Sequence, residues 1–90
     1  MERKRNKTDI MHDMLRIIQE NGRRIKKTHL MYKANLSHKQ MELYLRELMS
    51  SKLIEKESPD KEFPIKVTSK GFDFMSKYAQ VKEFEKTFGL

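Results

Sequence analysis

Residues 35–41 read Asn-Leu-Ser-His-Lys-Gln-Met, and they leave the chain little choice of local structure. Ser37 and Gln40 have the S-x-x-Q spacing of a capping box, in which each side chain takes the other's backbone N–H at the start of a helix. Leu36 and Met41 stand at the two positions of a hydrophobic staple, which fixes the direction in which the chain enters that helix. Just upstream, Asn35 tolerates the left-handed conformation that stops a helix. The stretch therefore predicts a helix stop, a tight turn and a helix start in succession. The new helix has Met41, Tyr44, Leu45, Leu48 and Met49 on one stripe. Lys39, Glu42, Leu43 and Arg46 lie on or near the other side.

Elements on both sides follow from the same kind of signal. Thr8 can cap a first helix, in which Met11, Met14, Leu15 and Ile18 have helical spacing and Ile10 and Ile17 widen the stripe. Asn21-Gly22 ends it, with Gly22 suited to a left-handed residue, and "RRIKK" becomes a connector with room for one edge strand around Ile25. Thr28 can cap a second helix running to about Ala34. Beyond the third helix the period changes, and residues 53–57 and 63–67 read as an antiparallel hairpin around Pro59-Asp60, with Ile65 and Val67 facing inward. Pro64 belongs at an edge or a bulge because it donates no ladder hydrogen bond. Thr68 then caps a last helix of about 20 residues, roughly 30 Å long, ending near Phe88.

Composition narrows the class of molecule. Ninety residues suit one domain without an internal repeat or linker, and the regular apolar stripes argue against disorder despite 37% charged residues. The absence of cysteine removes disulfides and cysteine-based zinc sites. The basic start lacks an apolar h-region, and no apolar run approaches the roughly 20 residues of a membrane span, so a cytoplasmic protein is expected. The net charge of +7 is uneven: residues 1–49 have 12 Lys and Arg against 6 Asp and Glu, and residues 50–90 have 8 against 7. A basic half of this kind attracts a polyanion such as nucleic acid or an anionic membrane, although charge also serves solubility.

Three helices followed by a hairpin is the element order of a winged helix-turn-helix. The stretches "KKTHLMYKANLSHKQMELYLRELMSSKLIEK" and "VTSKGFDFMSKY" also resemble the small archaeal winged-helix DNA-binding proteins, most of all the basic, dimeric, chromatin-associated ones of Sulfolobus. The resemblance covers roughly residues 8–80. It implies a mainly α fold with a three-helix core and a wing, binding to double-stranded DNA, and a homodimer joined through a long C-terminal helix, antiparallel by analogy. In outline, residues 1–7 form a basic arm, 8–70 the winged domain and 71–90 a coiled-coil-like dimerisation helix. Two departures stand out. The family usually has glycine where this chain has Lys52, which requires either a positive φ at lysine or a different helix end. The wing loop "ESPDKE" has three acids and the single cation Lys61, which argues against a wing that grasps DNA.

In a DNA reader, Ser37, His38, Lys39 and Gln40 would come first in the major groove, with Leu43 and Arg46 one and two turns on. The same Lys39 and Arg46 also suit the solvated face of a core helix, and Gln40 is shared with the capping box. Arg3, Lys4, Arg5 and Lys7 form either a phosphate-neutralising arm or a frayed terminus. Arg23, Arg24, Lys26 and Lys27 precede the second helix, whose N-terminus with Thr28 suits a phosphate. Tyr32 reads as a core tyrosine with a hydroxyl near the DNA side. His12, His29 and His38 match no zinc spacing and read as surface residues, and no nucleophile, Gly-rich phosphate loop or paired acid forms an enzyme frame. No cofactor or metal is expected. Methionines 11, 14, 41 and 49 fill the core.

In the last helix Phe74, Val81 and Phe88 recur every seven residues, with Phe84 at a d-like position and Tyr78 beside them. A partner helix covers such a seam, while Phe72 and Met75 pack against the chain's own helices. The expectation is a homodimeric double-stranded DNA-binding protein, either a transcriptional regulator or a nucleoid-associated protein. The alternative is a winged-helix protein-interaction module, and RNA binding stands third, lacking an aromatic stacking motif.

Overall fold

In a computed structural model of the chain, which describes residues 5–22 and 25–90, the capping box is formed. Gln40 N donates to Ser37 Oγ at 3.2 Å and Ser37 N donates to Gln40 Oε1 at 3.0 Å. The staple residues Leu36 and Met41 are both buried. Six elements follow in order: α1 (Lys7–Asn21), α2 (Lys27–Lys33), α3 (His38–Ser50), β1 (Ile54–Lys56), β2 (Ile65–Val67) and α4 (Ser69–Thr87). The fold is mainly helical, three helices with a two-stranded hairpin wing and a C-terminal helix, as the sequence predicted.

Two helix ends share one device. At the end of α2, Asn35 N donates to the Tyr32 carbonyl and Leu36 N to that of Met31, with Asn35 at φ 56°. At the end of α3, Lys52 N donates to Met49 O and Leu53 N to Leu48 O, with Lys52 at φ 62°. Both are Schellman motifs, which satisfy the last carbonyls and reverse the chain. Lys52 therefore accepts the positive φ itself.

The core is built around α1, which packs against α2, α3, β2 and α4. Its stripe of Ile10, Met11, Met14, Leu15, Ile17 and Ile18 is buried throughout, and Met14 and Leu15 have no exposed surface. Met41, Leu45 and Leu48 of α3 meet it, as do Ile54, Ile65 and Val67 of the hairpin. The strands pair antiparallel, Ile54 opposite Val67 and Lys56 opposite Ile65; in β2 the inward residues are Ile65 and Val67, as period-2 alternation selected, while β1 buries Ile54 alone. Pro64 stands just before β2, outside the strand pairing.

Thr68 holds the start of α4 in two directions. Its Oγ1 accepts from Gly71 N at 3.0 Å and donates to the Lys52 carbonyl at 2.6 Å, while Thr68 N donates to Leu53 O at 3.0 Å. Gly71 lies so close to the preceding turn that a Cβ there would be 2.3 Å from the Leu53 carbonyl oxygen. The turn after α3 and the start of α4 are thus one packed unit.

Several local expectations are corrected. Helix α1 is capped by Asn6, whose side chain accepts from Asp9 N while Asp9 accepts from Asn6 N; Thr8 is the second residue of the helix and donates to Asn6 Oδ1. Asn-x-x-Asp satisfies the same two N–H groups as the Ser/Thr version. Helix α2 begins at Lys27 with Lys26 at its cap position and no side-chain cap, so Thr28 is inside the helix and does not cap it. Gly22 has φ 60° but ψ −144°, outside the left-handed helical well. Ile25 is buried without being part of a strand. Tyr32 is 75% exposed and not in the core, because Leu30, Met31 and Ala34 already fill the inner face of so short a helix. Phe72 is largely exposed as well, since it is Gly71 that faces the domain.

Candidate nucleic-acid interface

The capping box and the two Schellman turns fix α3 with its apolar stripe inward. Its outward face then comprises His38, Lys39, Gln40, Glu42, Leu43 and Arg46, all exposed, with Leu43 at 54%. A leucine left this open among charges suits contact with an apolar group such as a thymine methyl. Ser37 is also exposed, but its hydroxyl and the Gln40 carbonyl oxygen are engaged in the cap. Beside α3 lies a cleft of about 400 Å³, lined by Glu42, Leu45, Arg46 and Met49 of the helix and by Lys56 and Glu62 of the hairpin region. Arg46 thus looks toward the wing, with Lys56 across from it. Lys61 is exposed on the same loop as Glu62.

Several predicted basic residues are engaged within the chain. Arg5 donates to Asp13 Oδ2 and, through its other terminal nitrogen, to the Asn35 carbonyl, both at 3.1 Å. This clamps Arg5, next to the cap of α1, onto the turn before α3. Lys7, the first residue of α1, pairs with Glu47 of α3. Lys27 pairs with Glu42 and, at 2.9 Å, with Glu62, and these two carboxylates, Glu42 first, raise its pKa above the ordinary lysine value. In return Lys27 holds the Glu42 carboxyl below its ordinary value. Thr28, His29 and Lys26 are exposed nearby. Arg3, Lys4, Arg23 and Arg24 lie outside the described residues.

A second cluster joins α4 to α1. Asp9 is buried, and its Oδ1 accepts from the Tyr78 hydroxyl and lies 3.3 Å from Lys82 Nζ. The Tyr78 hydrogen bond, reinforced by Asn6 N–H and Lys82, lowers the carboxyl pKa to about 2 against the opposing effect of burial. The Tyr78 ring stacks on His12, with centroids 4.0 Å apart and planes inclined by 15°, and burial there pushes the imidazole pKa down. His12 is therefore a half-buried interface residue and not the surface histidine expected. Of the five predicted seam residues, Tyr78 is thus engaged by its own domain and Phe74 packs partly against the core. Val81, Phe84 and Phe88 stay open, the last two at 56% and 66%, with their rings 4.9 Å apart. Val81, Phe74 and Tyr78 also line a groove of about 370 Å³ beside Asn6 and Thr8.

The family model described as winged helix-turn-helix matches residues 4–86, nearly the whole chain. The chain belongs to the winged helix-turn-helix family. Such domains are typically DNA-binding and generally not enzymes. No curated protein matches the chain. Among the described residues of this winged helix-turn-helix, no cluster of His, Cys, Asp or Glu could hold a metal, and no helix is long and apolar enough to cross a membrane.

Sequence reasoning missed Asp9, Lys56, Lys82 and the role of Glu42. The Asn6/Asp9 box was legible as a local pattern. The Asp9 to Tyr78 contact, spanning 69 positions, had no local signal.

Proposed function

We propose that this winged helix-turn-helix protein binds double-stranded DNA with α3 in the major groove, as a homodimer joined through α4, and acts as a transcriptional regulator or a small chromatin-associated protein. The observation that supports this best is the outward face of α3, where Lys39, Leu43 and Arg46 stand exposed behind a fully formed cap in the basic half of the chain. Lys39 and Arg46 supply charge for phosphates or guanine edges, and Leu43 supplies an apolar contact. His38 and Gln40, at the first turn, are next in reach. Lys56, across the cleft from Arg46, adds a cation on the wing side. Arg3 and Lys4 remain the arm's phosphate contacts in this reading, because Arg5 and Lys7 are held by Asp13 and Glu47. Lys61 ranks below Lys39 because its loop is acidic.

The open Val81, Phe84 and Phe88 support the second reading, a winged helix that uses α4 to bind a different protein. A gel shift with random-sequence duplex at two salt concentrations separates the two. DNA binding by Lys and Arg predicts log K falling by about 0.9 per phosphate contact for each log unit of salt. Absent or salt-independent binding rejects the DNA reading and leaves the interaction module.

A further inference from the structure

Lys27 is the one residue through which α2, the reading helix and the wing loop are joined by charge among the described ion pairs. Its ammonium lies between Glu42, on the outward face of α3, and Glu62, in the loop before β2. Both carboxylates also line the cleft that contains Arg46 and Lys56. The three charges sum to −1, and without Lys27 they would sum to −2 on the side of α3 that adjoins Arg46. An uncompensated carboxylate pair facing a phosphate backbone opposes binding, as like charges do across any interface. A lysine already placed between two acids has, in turn, little reason to leave both exposed in exchange for one phosphate.

We propose that Lys27 is a positioning residue: it latches the wing loop onto α3 and screens Glu42 and Glu62 from the polyanion, and does not itself bind phosphate. The screening half rests on the DNA reading above; the latch half stands on the fold alone. Two backbone bonds within the wing report on the latch, Glu57 N to Pro64 O at 3.1 Å and Lys61 N to Ser58 O at 3.4 Å. The raised pKa of Lys27 keeps it charged throughout the neutral range, so the latch is closed under ordinary conditions.

The experiment uses the full chain with Lys27→Gln, Lys27→Arg and Glu62→Gln, all on exposed or half-buried ion-pair residues whose loss leaves the core intact. Amide exchange at Glu57 and Lys61 is measured without DNA, and affinity for a random-sequence duplex is measured across a salt series. Lys27→Gln and Glu62→Gln should both speed exchange in the wing, by about two- to fivefold for exposed pairs of this kind, and Lys27→Arg should keep it near wild type. Affinity should move in opposite directions, falling several-fold for Lys27→Gln with the salt slope unchanged and rising for Glu62→Gln. A slope shallower by about 0.9 in Lys27→Gln, with wing exchange as in wild type, would make Lys27 a phosphate ligand and overturn the proposal. Should the wild-type protein bind no duplex at all, the functional reading fails, and wing exchange alone decides the latch: unchanged rates in both glutamine variants overturn it.

Discussion

Lys52 holds a position at φ 62° that glycine occupies without strain. An L-residue there costs about 1–2 kcal/mol, partly offset because glycine loses roughly 0.5–1 kcal/mol more chain entropy on folding. The Lys52 side chain is exposed, so nothing in the core depends on it. Lys52→Gly should therefore stabilise the protein by about 0.5–1 kcal/mol, a few degrees in Tm, and a lower Tm would mean that the lysine side chain contributes more than its backbone loses. Asp9 gives a prediction of a different kind. Its folded pKa of about 2 lies below its ordinary value of 3.8, so the stabilisation is fully present above that ordinary value and disappears as pH falls through 3.8 toward 2. The shift corresponds to roughly 2 kcal/mol. Thermal melts of wild type and Tyr78→Phe should differ at pH 7 and converge near pH 2. Phenylalanine keeps the ring that stacks on His12, so the absence of any gap at pH 7 would show that Tyr78 acts through packing alone, and a gap constant with pH would show that its hydroxyl does not act through the Asp9 charge.

At the scale of elements, legibility followed the range of the forces involved. Helix α3 was readable to within a residue because its cap, staple and stripe are all local, and the inward residues of the hairpin were readable because strand alternation is local too. The starts of α1 and α2 were misread for a related reason: Thr8 and Thr28 are good cap residues, but Asn6 with Asp9 forms a complete box two residues earlier, and the entry of α2 is set by the buried Ile25 and the ion pairs of Lys27. Tyr78 on Asp9, Arg5 on Asn35 and Lys27 between Glu42 and Glu62 join residues far apart in sequence, and no periodicity encodes them. The candidate reading face, Glu42 included, was legible as the complement of the apolar stripe, whereas the pairing of Glu42 with Lys27 was not. This division yields a test at the level of α3. Lys39→Ala and Arg46→Ala should each weaken duplex binding by about 1–3 kcal/mol if they meet bases, or flatten the salt dependence if they meet phosphates. Neither should move Tm by much, because both side chains lie off the buried stripe. A mutant that loses its fold would show that this side of α3 is structural.

For the whole molecule, α4 is the element with unfinished packing. Its first half is fastened by Thr68, Gly71, Phe74 and the Tyr78–Asp9 contact, and its second half presents Val81, Phe84 and Phe88 to water along a body 46 Å in its longest dimension. If those three side chains from each of two chains are covered by pairing, each contributes about 1.5 kcal/mol, the lower end of the range for an aromatic or aliphatic residue because all are about half covered already. The gross total is about 9 kcal/mol, above the roughly 8 kcal/mol that corresponds to micromolar dissociation, and the cost of association takes a share of it. Two reading helices would then be related by a two-fold axis, and their preferred site should be near-palindromic, with half-sites about 34 Å apart or a multiple of it. The rigid attachment of α4 through Asp9 and Tyr78 is what would transmit that spacing to α3. Val81→Lys combined with Phe84→Lys changes only open side chains, so the protein should remain folded, become monomeric in light scattering, and bind duplex much more weakly as the two heads lose their linkage. A wild-type chain that scatters as a monomer at tens of micromolar, about the concentration at which such an interface should be occupied, would remove the dimer and the palindrome together and leave α4 available to another protein.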